Sequence, residues 1–181
     1  LMKASSLRPA VWLARLDEVA EWWRMRFAAS VKTTDVEHGV RLDVAGPAGL
    51  TILARGVESD PPAVPWKDGY ERISATSFTV HSAVRPFIGL SPEIPRALAD
   101  FLKEQGYLVE FSREPHRYAY YFHQAGDFLT HPRAILAQIE DTGCPLLKLG
   151  RWPDGAACAL SITGDIDALT LWDYGLRVLG K

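Results

Sequence analysis

The chain has 181 residues, 48% hydrophobic and 23% charged, with a formal net charge of −2, enough to bury the core of one or two domains. Its basic residues are scattered among a similar number of acidic ones, and no Lys/Arg block exists to track a phosphate backbone, which argues against nucleic-acid binding. No apolar run approaches the ~18 residues of a membrane span, and Lys3, Arg8 and Arg15 interrupt any secretory core, so a soluble, cytoplasmic chain is expected.

The first segment reads as a helix. Pro9 suits a first-turn position, and Trp12, Leu16, Val19, Trp23 and Phe27 recur at helical spacing as one buried stripe, widened by Trp22. Such a stripe calls for a large apolar partner surface. From Val31 the period becomes two. Val40–Val44 alternates, Gly46-Pro47-Ala48-Gly49 is a turn cluster and Leu50–Ala54 returns as a second strand, together predicting a hairpin. Pro61, Pro62 and Pro65 mark a loop, and Arg72–His81 alternates again, with Val84–Ile88 continuing after a bend. This is a small antiparallel, sandwich-like β region.

After Pro92 the pattern changes. Ile94, Leu98, Phe101 and Leu102 form a helical face that Gly106 ends, followed by strands at Tyr107–Phe111 and Tyr118–Phe122. A short helix starts at Pro132, with Thr130 or His131 as its cap and Ile135, Leu136 and Ile139 as its apolar face, and stops at Gly143. Pro145–Leu149 is a strand and Trp152-Pro153-Asp154-Gly155 a turn before a last apolar strand. The predicted organisation is α+β: an amphipathic helix in 1–30, an antiparallel β module in 31–92 and a helix/strand segment in 93–181. Cys144 and Cys158 are expected as small buried thiols.

The last strand runs through Leu160-Ser161-Ile162-Thr163-Gly164 into Asp165-Ile166-Asp167. An apolar strand ending in acidic residues before a helix is how α/β enzymes place carboxylates at a sheet edge. Asp165 and Asp167 could share a divalent cation and take a proton from a bound water. Equally, Asp167 could cap the last helix, with Asp165 in the turn that Gly164 permits.

Arg151-Trp152-Pro153-Asp154-Gly155-Ala156-Ala157, followed by Leu160 to Asp167, resembles the first strand and first motif of the polysaccharide deacetylase family, the NodB-homology carbohydrate esterases. The opening helix, Val11 to Arg26, similarly resembles the last helix of such a barrel. The resemblance implies metal-dependent hydrolysis of acetyl groups from a carbohydrate, with Asp165 as catalytic base, Asp167 as metal ligand and zinc or a similar divalent cation as cofactor. Gly164 stands where a family variant has His, and the His-Ser/Thr-x-x-x-His motif is absent: His81-Ser82-Ala83-Val84-Arg85-Pro86 begins like it without a second histidine. Two explanations fit the resemblance: a carboxyl-terminal portion, inactive alone, whose barrel is completed by an upstream portion of the same protein or a homo-oligomer partner, or a stand-alone remnant that kept the fold elements and lost the chemistry. The first is preferred, because the aromatic stripe of the opening helix calls for a partner surface.

Two other functions compete. One is a non-catalytic carbohydrate-binding or domain-packing module, in which exposed Trp66, Tyr70, Tyr118 and Tyr120 stack on sugar faces. The other is phosphoryl transfer of the haloacid-dehalogenase type, since Asp165-Ile166-Asp167-Ala168-Leu169-Thr170 approximates an Asp-x-Asp-x-Thr nucleophile loop.

Overall fold

The computed structural model describes residues 11–126 and 130–161. In chain order they form β1 (Val11–Leu13), α1 (Leu16–Phe27), β2 (Ser30–Val36), β3 (Gly39–Ala45), β4 (Ile52–Arg55), β5 (Glu58–Asp60), β6 (Val64–Pro65), β7 (Glu71–Ile73), β8 (Ser77–His81), β9 (Arg85–Leu90), α2 (Arg96–Glu104), β10 (Val109–Phe111), β11 (Tyr118–Phe122), α3 (Pro132–Asp141), β12 (Leu146–Leu149) and β13 (Cys158–Leu160), with 3₁₀ turns at Pro115–Arg117 and Pro153–Gly155. The class is α+β.

The middle layer joins an antiparallel sheet, β12-β4-β7-β6, to a parallel one, β10-β9-β11. The join is the chain just before β10, where Tyr107 bridges Lys148 and the Leu149 N–H donates to the Gly106 carbonyl at 2.7 Å. Strands in such a layer are buried on both faces and read as continuous apolar runs. On β9, Phe87 enters one core while Ile88 and Leu90 enter the other; on β12, Leu147 and Leu146 divide the same way. All five are fully buried, each contributing roughly 1.5–3 kcal/mol by its removal from water.

One face of this layer is covered by the antiparallel sheet β2-β3-β8-β5. Val40, Leu42, Phe78 and Val80 from that sheet meet Ile52, Ala54 and Ile73 from the middle layer, a sandwich of the expected kind. The other face is covered by α2 and α3 through Leu98, Leu102, Ile135 and Ile139. Gly106 has φ of +99°, and a Cβ there would lie 2.6 Å from the Leu149 carbonyl oxygen; only glycine ends α2 and enters the join so closely.

Several elements differ from the sequence expectation. Val40–Val44 and Leu50–Ala54 do not form a hairpin with each other: β3 pairs with β2 and β8, while β4 pairs with β12 and β7. The turn cluster instead carries the chain from one layer to the next. The strand at Leu146–Leu149 pairs with the one at Ile52–Arg55. Cys158 is exposed and Cys144 half-buried, since the short β13 buries little. His131 occupies the N-cap position of α3 without a side-chain cap bond.

The opening segment also differs. Trp12 lies on β1, which pairs in parallel with β13 (Trp12 opposite Ala159), and the helix begins only at Leu16. Leu16 and Phe27 are exposed, at 61% and 73%. The buried residues of α1 are Trp22 and Arg26, one turn apart, because the helix docks on a rim of carbonyls rather than on a wholly apolar surface. The Trp22 indole N–H donates to the Arg151 carbonyl at 2.9 Å, and Arg26 donates to the carbonyls of Gly150 (2.9 Å), Glu104 (3.2 Å) and Leu149 (3.4 Å). Trp12, Trp23 and Trp152 close around this anchor, with ring centroids 5.4–5.9 Å apart for the two pairs that include Trp152. Burial, then the nearby Arg151, pulls the Arg26 guanidinium down to about 10, which leaves it charged at neutral pH.

Arg26→Met keeps the stem and strands these carbonyls. It is expected to cost about 3 kcal/mol in urea denaturation, as for a buried charged hydrogen-bond donor removed from its acceptors. Exposed Arg24→Met on the same helix should cost under about 0.5 kcal/mol.

Candidate functional site

On the helix-covered side, the edge between β4, β12 and α3 opens into a cleft of about 520 Å³. Its centre is the Glu140 carboxylate. Period two places Lys148 on the same face of β12 as Leu146, so the ammonium emerges beside the last turn of α3. Arg55 ends β4 and reaches the same turn, while Tyr70 and Tyr107 arrive from the start of β7 and from the join.

Each Glu140 oxygen accepts two bonds. Oε2 accepts from Arg55 Nη1 and the Tyr70 hydroxyl, both at 2.8 Å; Oε1 accepts from Lys148 Nζ at 2.8 Å and the Tyr107 hydroxyl at 2.5 Å. Arg55 is otherwise committed to backbone: it donates to the carbonyls of Cys144, Glu140 and Ile139 at the end of α3, where a cation also meets the negative helix terminus. Lys148 Nζ lies 4.0 Å from the Tyr70 ring centroid, a cation–π contact in a partly desolvated place. The arrangement ties α3 to the middle layer with charge-assisted bonds.

The electrostatics follow from burial. Burial acts to raise the Glu140 carboxyl, but the bonds from Lys148, Tyr107 and Tyr70 outweigh it and hold it below the usual carboxylate range. Tyr70 and Tyr107 are pushed far above the ordinary phenol value, by burial first and by Glu140 next, so both stay neutral donors. Burial lowers Lys148 despite Glu140, which acts the other way.

Trp66 forms one wall, its indole N–H donating to the Gly155 carbonyl at 2.6 Å and its ring carrying the Lys67 ammonium at 5.4 Å. Gln105, Arg151 and the Ala156-Ala157 backbone complete the mouth. Fixed donors and acceptors beside an aromatic wall suit a polyhydroxylated small molecule.

Asp165 and Asp167 lie outside the described residues, as does Thr170. Of the residues expected to stack on sugars, Tyr70 is buried at 3% exposure and holds Glu140, while Trp66 lines the cleft beside it. Tyr118 and Tyr120 are half-buried and enter opposite cores, because the register of β11 against β9 shifts between them and reverses the face that period two would give Tyr120. His81 ends β8, His116 sits in a 3₁₀ turn, His123 follows β11, and His38 occupies the tight turn between β2 and β3. Among the described residues no group of three His, Cys, Asp or Glu side chains could hold a metal ion; Asp165 and Asp167, on which the resemblance places the cation, are not among them.

Sequence reasoning missed Glu140, Lys148, Arg55 and Tyr107. The available signal was Lys148, a lone charge inside the apolar run Leu146-Leu147-Lys148-Leu149, since a charge on a buried face needs a partner. No family model, curated protein or solved structure matches the chain.

Because the Glu140 value is depressed on folding, its stabilisation is complete above the unfolded carboxyl value near 4.5 and fades as pH falls through the lower folded value. Glu140→Gln is therefore expected to cost about 2–3 kcal/mol in urea denaturation at pH 7, with a narrower gap to wild type near pH 3. A gap independent of pH would mean that the ionised carboxylate is not what holds the cluster.

Proposed function

We propose that the chain handles carbohydrate, with the Glu140 cleft as the glycan-binding site of a polysaccharide-deacetylase-like protein. The observation that carries this reading is the cleft itself, where a tryptophan wall faces an ordered group of donors and acceptors held by Glu140. Aromatic walls bind the apolar face of a sugar ring, and the polar groups take its hydroxyls. The Trp66 indole is fixed by Gly155 and the Tyr70 and Tyr107 rings by Glu140, so little ordering entropy is lost on binding. Titration with a panel of neutral, acetylated and acidic oligosaccharides is expected to find a glycan class that binds. Trp66→Ala should weaken that binding about tenfold, a loss of about 1.4 kcal/mol, and Trp66→Phe should restore most of it. Absence of binding at millimolar glycan would remove the reading.

A second reading, hydrolysis of acetyl groups with Asp165 as base and Asp167 on the metal side, draws support from one observation. β13, the strand leading towards these residues, pairs in parallel with β1, and parallel strands deliver carboxylates at their carboxyl ends in α/β hydrolases. In the intact protein, Asp165→Asn is expected to reduce acetate release from acetylated oligosaccharides at least a hundredfold, as for removal of a general base, while glycan affinity stays within about twofold. Wild-type protein that releases no acetate with zinc or cobalt added would exclude this chemistry.

A further inference from the structure

The charges in the cleft do not balance. Arg55 and Lys148 both pair with Glu140, so two cations share one carboxylate at positions where their side chains are only 11% and 19% exposed. Arg55 uses its remaining bonds on carbonyls. Lys148 does not: among the described residues Glu140 is the one hydrogen-bond acceptor its ammonium meets, the Tyr70 and Tyr107 ring faces lie beside it, and Asp68, which also acts on it, is exposed to water and paired with Lys67. At the mouth, Arg151 is exposed, lies over the Trp23 ring and meets no carboxylate among the described residues. Lys67 is neutralised by Asp68 at 3.3 Å. Asp141 is exposed on the rim, where water screens it. The inner cleft therefore carries a surplus positive charge in a partly desolvated place, the setting in which an added anion gains most.

We propose that the cleft selects an acidic sugar, seating one anionic substituent, a carboxylate or a phosphate ester, between Lys148 Nζ and Arg151 while the ring lies against Trp66. Ligands of this size are accommodated by sites of ~300–1,000 Å³, and the cleft offers about 520 Å³. Tyr70 and Tyr107 stay protonated, so they add no negative charge to repel the ligand. A sugar bearing a free amine meets the surplus cation and is rejected. The desolvated ammonium of Lys148 regains by this anion what burial removes. The inference rests on the glycan reading and narrows it to one class.

The test is calorimetric titration of the full chain with matched sugars: neutral, amino, uronate and phosphate ester, with acetate and inorganic phosphate as sugar-free probes. An acidic sugar is expected to bind at least tenfold tighter than the neutral one, and the advantage should shrink severalfold between 50 and 500 mM salt. Whichever of uronate and phosphate ester binds tighter identifies the substituent. Lys148→Met should bring the acidic sugar to within about threefold of the neutral one, Lys148→Arg should keep most of the preference, and Arg151→Gln should reduce it in a protein whose Glu140 cluster is untouched. Equal affinity for neutral and acidic sugars overturns the inference and leaves glycan binding standing. Acetate or phosphate binding as tightly as the sugar acids overturns it too, since the site would then be a plain anion site. No binding by any sugar overturns both.

Discussion

The structure depends on a middle layer that must be covered on both sides. Phe87 and Ile88 are adjacent on β9 and Leu146 and Leu147 adjacent on β12, yet each pair divides between two cores. Neither strand could present a face to water. One face requires β2-β3-β8-β5 and the other requires α2 and α3, so the order of the layers follows from these few apolar neighbours. The layer is stitched by a single extended stretch, Gly106 to Phe111, whose first residues bond to β12 and whose remainder runs beside β9. A glycine at position 106 is what lets that stretch begin within bonding distance of Leu149.

Coverage by helices has a consequence at the layer's edge. The last turn of α3 brings backbone carbonyls and the Glu140 carboxylate to a surface that already holds Arg55 and Lys148. The charged residues are not decoration on a finished fold, because without Glu140 the two cations and two phenols would be left without their shared acceptor. The same polar group that fixes the helix therefore shapes the cleft, and its rigidity as a site is inherited from its role in packing.

The α+β class, the helices at Arg96–Glu104 and Pro132–Asp141 and most strands are legible in the sequence, since periods of two and 3.6 with Gly106 and Gly143 as stops mark them. Pairing is not. Strands β3 and β4 follow each other with a turn cluster between them, and local reasoning joins them, while the layers place them in different sheets. The buried face of α1 is illegible for a different reason: counting apolar residues favours Trp23 and Phe27, whereas the docking surface is a row of carbonyls that Arg26 and the Trp22 indole satisfy. The cleft shares this difficulty. Arg55, Tyr70, Tyr107, Glu140 and Lys148 are spread across the chain, and only the pairing of β4 with β12 and the bridge from Tyr107 to Lys148 bring them together.

The cleft and the acidic motif are linked by the chain between them. Gly155, Ala156 and Ala157 line the cleft and run directly into β13, and the turn before them is held from three sides: the Asp154 N–H donates to the Gly49 carbonyl at 2.7 Å, Arg72 donates to the Asp154 carbonyl at 2.7 Å, and Trp66 donates to the Gly155 carbonyl. Asp154 itself takes a positive φ of 54°, a conformation that aspartate tolerates better than most residues and that surrounding bonds must hold. The cleft wall at Trp66 and the start of β13 are thus positioned by one turn. The bond that fixes the turn is also the bond that fixes the Trp66 ring, so loosening the turn would loosen the cleft wall with it.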